Sequence, residues 1–433
     1  MMDVTGTIAA TVFNEDTLKA YLASTPRLSH VFGGEVDSLR IHEIGDGNLN
    51  FVFFVRGDKA ALALKQALPY SRMSGGARAL TCERLAFETK ALQIFARLAP
   101  AHVPAVHHYD AERSLMAQEF LSPHIVMRKG MIEAIAYPHF ADHISTYLAQ
   151  CLHGTSDFAL AATEKRELVA DFARNIELCE ITERLIFTEP FTNSPNNRWT
   201  SPALDGQVAQ LQSNVALKLR VAALKQKFLT RTDALLHGDL HSGSIMLTPD
   251  DTKVIDPEFA VFGPMGFDIG ILVGNLLLNY FAQPAYEASV GERGPYGDHI
   301  LAMVQEIWSG FAFKFAALCR EAPGDGILSC VGLESSDDAR QGRNAFVHAY
   351  LDEVLQDTIS YACVEMIRRT IGRAHTLDYD LIVDDGLRAK AESASLACAV
   401  EILARPVGVG SITDLCRASR DFARSAGRQP QMP

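Results

Sequence analysis

His237-Gly238-Asp239-Leu240-His241-Ser242-Gly243-Ser244-Ile245-Met246-Leu247 sets one carboxylate, Asp239, in a tight loop just after the apolar Ala234-Leu235-Leu236. A second acidic pair follows at Asp256-Pro257-Glu258-Phe259, behind the strand-like Lys253-Val254-Ile255. One loop carboxylate followed about two strands later by two more is an arrangement suited to phosphoryl transfer. Asp239 can accept a hydrogen bond from an acceptor hydroxyl and align it with a terminal phosphate. Asp256 and Glu258 are hard oxygen donors of the kind that hold magnesium beside a triphosphate. Pro257 fixes its own φ, and an extended Asp-Pro-Glu segment sends both carboxylates to one side. A single Asp in a loop is ordinarily a turn or cap residue; the spacing to the later pair raises Asp239 above that reading. His237 and His241 stand four apart, but without a helix and a third ligand they make a poor zinc pair.

Upstream, residues 39–44, 50–56 and 60–68 read as strands, joined by Gly45-Asp46-Gly47-Asn48 and Arg56-Gly57-Asp58-Lys59, both strong turn signals. The first of these turns can lay backbone N–H groups over phosphates, or it can be a plain hairpin turn. Lys65 ends the run Ala61-Leu62-Ala63-Leu64-Lys65, with Ala63 on its own face of the strand. A small residue beside a base and a cation one pleat further on suit a nucleotide. The helix expected over 81–97 carries Glu88 on the stripe of Leu85, Leu92 and Phe95. An unpaired carboxylate on an apolar face is costly, so Lys65 is its expected partner, with Glu83 as the fallback. A purely structural Lys–Glu pair is the alternative.

Two more short strands around Asp110-Ala111-Glu112-Arg113 complete a β-rich N-terminal unit, and Asn14 reads as the N-cap of a short helix before it. Beyond Pro123 the pattern is helical, over 143–153, 161–184, 204–229, 299–320, 341–373 and 385–404, interrupted by a strand-like patch from 235 to 262. Residues 321–340 read as a surface loop and the last dozen as a frayed end. A β-rich lobe followed by an α-rich one gives an α+β, two-lobed enzyme, with a nucleotide-binding lobe over 1–121 and a helical lobe over 122–433. Asp268, in Gly266-Phe267-Asp268-Ile269, opens a helix and takes a supporting role, capping it or holding the Asp239 loop.

The 433 residues, 48% hydrophobic and 21% charged, are those of an ordinary globular chain. A net charge of −12 argues against a nucleic-acid or anionic-membrane partner. Eight scattered cysteines without a Cys-x-x-Cys pair are expected to be reduced thiols. Met1-Met2-Asp3-Val4 carries no basic region, and the apolar run from Ile269 to Phe281 is too short to span a bilayer. A soluble, cytoplasmic protein is expected.

Four stretches carry a resemblance: Glu43-Ile44-Gly45-Asp46-Gly47-Asn48-Leu49-Asn50-Phe51-Val52-Phe53, Lys65-Gln66-Ala67-Leu68-Pro69-Tyr70, Asp256-Pro257-Glu258-Phe259 running through Gly263 to Asp268, and Arg368-Arg369-Thr370-Ile371-Gly372 with Ala374-His375 behind. Together with the His-Gly-Asp loop they resemble the 5-methylthioribose kinase family, whose protein-kinase-like fold is shared with aminoglycoside phosphotransferases and choline kinases. The resemblance implies transfer of the γ-phosphate of ATP to the anomeric 1-hydroxyl of 5-methylthioribose, in methionine salvage, by a homodimer. It implies ATP contacts at Asn48, Lys65, the Glu119-Phe120-Leu121 hinge and the Asp256-Pro257-Glu258 loop. Asp256 and Glu258 are implied Mg2+ ligands, with Glu258 standing in for an asparagine absent at Ser244. Asp239, Arg368 and Arg369 are implied to meet the sugar. Two adjacent arginines on a helix point about 100° apart, so only one is expected to face the substrate while the other braces a carboxylate or lies on the surface. The chain departs from the family pattern at Phe120, Ser242, His299 and the stretch 124–128. A kinase of another small alcohol, choline or an aminoglycoside, is the alternative within the class; a nucleotide-binding module without catalysis is the alternative outside it.

Overall fold

Alternating burial in residues 53–56, beside the continuously buried run 62–66, builds the centre of a five-stranded antiparallel sheet. The structure, a computed structural model, describes residues 12–44, 49–70, 79–321, 326–330, 336–404 and 409–427. They divide into two units, 1–123 with 255–258, and 124–254 with 259–433.

In the first unit the strands β1 (Arg40–Ile44), β2 (Phe51–Arg56), β3 (Ala61–Gln66), β4 (Val106–Asp110) and β5 (Leu115–Glu119) lie in the order β1-β2-β3-β5-β4. Phe53, Val55, Leu62, Leu64, Leu115 and Ala117 form one apolar face. It is covered by α1 (Glu15–Ser24) and α2 (Pro26–Val31) through Leu18, Leu22 and Leu28. Asn14 caps α1, its Oδ1 accepting from Thr17 N at 2.9 Å. Lys65 points to the opposite face of β3, where α3 (Arg84–Leu98) supplies the buried Leu85, Glu88, Leu92 and Phe95.

The second unit is mainly helical. Its small strands are β6 (Ile125–Val126), β7 (Ala234–Leu236), β8 (Ile245–Leu247), β9 (Thr252–Val254) and β10 (Val261–Gly263), paired as β10-β7 and β6-β8-β9. They bracket the Asp239 loop. The helices are α4 (Met127–Ile132), α5 (Phe140–Gly154), α6 (Ala162–Phe172), α7 (Ile176–Phe187), α8 (Asp205–Ser213), α9 (Val215–Thr230), α10 (Gly266–Ala282), α11 (Gly294–Glu321), α12 (Ile327–Cys330), α13 (Asp337–Ile371), α14 (Leu377–Asp380), α15 (Asp385–Ala404) and α16 (Ile412–Gly427). The axis of the unit is the pair α10 and α13. Gly266, Gly270 and Gly274 bring the two backbones together, and a Cβ at Gly270 would lie 2.7 Å from both the Thr358 carbonyl and Tyr361 Cβ.

Three expectations change. The helix read over 161–184 is two helices, because Asn175 leaves helical geometry and donates its side-chain amide to the Ala260 carbonyl at 3.1 Å. The helix read over 204–229 also breaks, at Asn214, which caps α9 by accepting from Leu217 N at 3.0 Å. The loop read over 321–340 contains α12 and the start of α13, capped by Ser336. The helices α2, α4, α14 and α16 escaped the sequence reading, and α16 takes in residues 422–427 of the end read as frayed. Residues 428–433 lie outside the described residues. Among the described residues no helix is long and apolar enough to cross a membrane, and the described cysteines are free thiols.

Candidate active site

In the first unit, Lys65 is the centre of an acidic cluster. Its Nζ donates to Glu88 Oε1 at 2.8 Å and to Asp256 Oδ1 at 3.0 Å. The partner anticipated on the apolar stripe of α3 is therefore the observed one, and Glu83 does not take the role. Glu258 Oε2 accepts from Asn50 Nδ2 at 2.9 Å, and Asn50 Oδ1 in turn accepts from Arg84 Nε at 3.0 Å. Arg84 is fully buried and spends its other N–H groups on the carbonyls of Leu49, Leu68 and Thr81. This Arg84–Asn50–Glu258 relay escaped the sequence reading. An arginine at the start of a helix looks like an exposed residue until the carbonyls around it are known.

One ammonium among three carboxylates leaves the cluster with excess negative charge. Burial, with Asp256 and Glu258 nearby, pushes the Glu88 carboxyl above its usual range in spite of Lys65. Burial alone would favour neutral Lys65, but Asp256, Glu88 and Glu258 keep it a cation. Asp256 is itself unusual, with φ of +62°. The extended Asp-Pro-Glu expected from Pro257 is thus corrected: proline restrains the residue before it, but Asp256 takes the left-handed region, where Asp is among the tolerated types. Such backbone settings persist where surrounding contacts over-determine them, and at functional sites they are common. Oxygen donors with surplus negative charge fit a hard divalent cation such as Mg2+. At the end of β5, Glu119 N donates to the Ala105 carbonyl at 2.8 Å and Glu119 Oε2 accepts from Ala105 N at 3.1 Å. Phe120 packs edge-on against Phe54, with the Arg56 guanidinium 4.7 Å from its ring centre. The glycine turn and Asn48 lie outside the described residues.

In the second unit, the loop between β7 and β8 holds Asp239. Gly238 has φ of +85°, and a Cβ there would strike the Phe259 carbonyl at 2.1 Å, so only glycine fits. Asp268, in the first turn of α10, accepts from His237 N at 2.6 Å and Gly238 N at 3.0 Å. Of its two anticipated roles it takes the second: it fastens the loop. Ser244 turns inward and donates to the Asp239 carbonyl at 3.0 Å, which ties the loop back on itself.

Asp239 faces two guanidiniums and an imidazole. Arg368 Nη2 lies 3.1 Å and Arg369 Nη2 3.5 Å from its Oδ1, and His241 Nε2 lies 3.2 Å from Oδ2. Burial would raise its pKa, yet His241, Arg368 and Arg369 hold it well below the usual carboxylate range. The expectation that only one arginine faces the site is overturned, because both are buried and both reach Asp239. Glu365 makes this possible. It lies three and four positions earlier on α13, and its two oxygens sit 2.7 Å from Arg368 Nε and 2.8 Å from Arg369 Nε. Burial would raise the Glu365 pKa as well, and the same two arginines lower it. Asn275 Nδ2 donates to Glu365 Oε1 at 2.9 Å, and Asn275 Oδ1 accepts from Arg128 Nη2 at 3.2 Å. Glu365, Asn275 and Arg128 were missed from the sequence; the i, i+3 and i+4 spacing of Glu365 to the arginine pair was the one available signal. Among the described residues no group of three or more His, Cys, Asp or Glu side chains is placed to hold a metal by itself, and His237 and His241 have other partners.

A model of the phosphotransferase enzyme family matches residues 40–294. Methylthioribose kinase 1 of Oryza sativa subsp. japonica is 41% identical over 394 residues, 90% of either chain. The methylthioribose kinase of Escherichia coli O45:K1 (strain S88 / ExPEC) is 41% identical over 394 residues, 90% of this chain and 92% of that one. That of Bacillus cereus (strain 03BB102) is 41% identical over 362 residues, 84% of this chain and 86% of its own. With that similarity running through both units, and with the clusters around Lys65 and Asp239 in them, the chain belongs to the methylthioribose kinase family.

Proposed function

We propose that the protein is a kinase that transfers the γ-phosphoryl group of ATP to the 1-hydroxyl of 5-methylthioribose, giving the 1-phosphate and ADP. The observation that carries this reading is the Asp239 cluster: one carboxylate held by Arg368, Arg369 and His241 in a chain 41% identical to methylthioribose kinases across 90% of its length. The sugar oxygen attacks the γ-phosphorus, the bond to the β,γ-bridging oxygen breaks, and ADP leaves. Asp239 accepts the hydrogen bond of the attacking hydroxyl and aligns it, and takes its proton as the new O–P bond forms, releasing it afterwards to solvent. With a pKa so depressed it is a weak base, which suits a loose phosphoryl-transfer transition state, where little proton removal precedes P–O cleavage. Arg368 and Arg369 carry positive charge to the place where phosphate appears on the sugar. A choline or polyamine cation would be repelled by the two guanidiniums there, and a neutral sugar would not.

Residues 1–121 serve as the nucleotide-binding lobe and 122–433 as the acceptor lobe. Lys65, Asn48, the hinge Glu119-Phe120-Leu121 and Pro257 contact ATP, while Glu88 keeps Lys65 in place and Asp268 keeps the Asp239 loop in place. Asp256 and Glu258 would hold Mg2+, which when bound neutralises the triphosphate charge. A homodimer acting in the cytoplasm in methionine salvage is the expected setting, and light scattering of the purified protein tests the dimer.

The deciding experiment is ATP consumption against methylthioribose, ribose, choline and kanamycin. Methylthioribose should be turned over with the highest kcat/KM. Turnover of choline with none of methylthioribose would sink the proposal. In parallel, Asp239→Asn should keep ATP affinity while kcat falls about 100-fold or more, the scale of a positioned acid–base group. A wild type with no transfer to any acceptor, indistinguishable from this variant, would leave only a nucleotide-binding module.

A further inference from the structure

The two oxygens of Asp239 have partners of different kinds. On Oδ1 are two long side chains, and each guanidinium also has a shorter contact to Glu365. On Oδ2 is His241, a member of the same loop, whose N–H bonds the Asp239 carbonyl at 2.9 Å and whose own carbonyl accepts from Ser244 N at 2.8 Å. The imidazole is clamped from behind. Its Nδ1 accepts from Gly243 N at 2.8 Å and lies 3.3 Å from Arg128 Nη2. Arg128 is tied to the loop by two more bonds, from its backbone N to the Ser242 carbonyl at 3.0 Å and from its Nε to Ser242 Oγ at 3.1 Å. A Cβ at position 243 would lie 2.6 Å from His241 Cε1, so glycine there lets the ring lie flat on the loop.

A ring nitrogen that receives N–H donors carries no proton. Burial depresses the imidazole pKa to about 4, Arg369 and Arg128 push the same way, and the opposing pull of Asp239 does not restore it. The ring is therefore neutral, with its single proton on Nε2, aimed at Asp239.

We propose that His241 is a positioning residue: a fixed Nε2–H donor that pins Oδ2 of Asp239, so that Oδ1 is the edge offered to the acceptor hydroxyl when Arg368 and Arg369 turn to the substrate. The inference rests on the reading of Asp239 as the acceptor-orienting carboxylate. The terminal torsion of an aspartate is soft. Once the arginines share their charge with a substrate, the histidine is the one partner among the described residues that still keeps the carboxylate from swinging. A misplacement of about 1 Å at such a group costs about 100-fold in rate.

Two amides each keep half of the ring. In His241→Asn the side-chain oxygen can still accept from Gly243 N–H, but no donor reaches Asp239. In His241→Gln an N–H donor reaches close to the Nε2 position, while Gly243 N–H and Arg128 lose their acceptor. His241→Asn should retain the wild-type Tm and the KM for ATP while kcat falls about 10- to 100-fold. His241→Gln should keep kcat within a few-fold while Tm falls. Wild-type kcat in His241→Asn, alongside a large loss in Asp239→Asn, overturns the inference and leaves the reading of Asp239 intact. Wild-type kcat in Asp239→Asn overturns that reading itself. Equal kcat losses in both histidine variants, tracking their Tm, would make His241 merely structural and also overturn the inference. Should His241→Asn fail to fold, the glutamine variant decides alone: retained kcat supports the inference, and a loss as large as that of Asp239→Asn refutes it.

Discussion

Two guanidiniums converge on Asp239 because a third residue lies between their stems. Successive Cα–Cβ vectors on a helix diverge by about 100°, and that geometry makes neighbouring arginines look like one inward and one outward side chain. Arginine is long enough to undo the divergence when a carboxylate at i−3 and i−4 collects both stems, as Glu365 does in α13. Removing one partner of a buried pair leaves the other charge uncompensated, at a cost of about 3–5 kcal/mol. Glu365→Gln keeps the shape but not the charge, so it should destabilise the protein by roughly 3 kcal/mol in urea unfolding and raise the KM for the sugar more than that for ATP. A loss of stability below about 1 kcal/mol, the scale of an ordinary hydrogen bond, would show that the arginines are held by other means. At this scale the legible parts of the site were those fixed by local rules. Glu88 on an apolar stripe demanded a cation and found Lys65; Asp268 at a helix start found the neighbouring loop. Not legible were the contacts between residues far apart in sequence, such as Arg84 with Asn50 and Arg128 with Asn275. Neither was the left-handed Asp256, which contradicts the usual behaviour of a residue before proline.

At the level of elements, the five-stranded sheet followed from alternation and turn residues, and the long helices followed from their apolar periodicity. What the pattern hid was interruption. A side chain such as Asn175 or Asn214 ends one helix or starts the next only because of a partner it finds, a distant carbonyl in one case and a cap N–H in the other. The glycines of α10 were equally unreadable, since glycine in a helix is ordinarily a weakness of about 1 kcal/mol. Here they are required by contact. With Gly266, Gly270 and Gly274 facing α13, the helix backbones approach closely enough for Asp268 at one level and Asn275 at another to reach the Asp239 loop and Glu365. Gly270→Ala removes a helix-propensity penalty and yet should destabilise the protein by about 1–3 kcal/mol, because the added methyl overpacks against the Thr358 carbonyl and Tyr361. Thermal unfolding gives the sign directly: a higher Tm would mean that the two helices can separate slightly at no cost.

For the whole molecule, the response to acid depends on groups that fold into states different from those they hold when unfolded. His153 on α5 is 5% exposed, its Nε2 has no hydrogen-bond partner among the described residues, and its ring lies edge-on to Phe315. Burial lowers its pKa to about 4 from an ordinary 6.5. Its folded pKa is thus the depressed one. Between these two values the unfolded chain binds a proton that the folded chain refuses, so stability rises with pH across this window and is lost as pH falls through it. The difference amounts to about 3 kcal/mol for a shift of this size at about 1.4 kcal/mol per pH unit. His241 titrates in the same direction. The raised carboxyls of Asp268 and Asp357 act in the opposite sense, losing stability as pH rises from the ordinary carboxylate range toward their folded values. Those contributions are common to wild type and a His153 variant, so their difference isolates one residue. His153→Leu, close in volume and without a proton to bind, should therefore gain stability relative to wild type as the pH is lowered from 7 to 4. The gain should approach about 3 kcal/mol near pH 4, read as the difference in urea midpoints, and should vanish above pH 7 apart from a constant packing term. A difference that stays flat across this range would mean that the His153 ring is protonated in the folded protein and that its charge is accommodated among the aromatic side chains of α5 and α11.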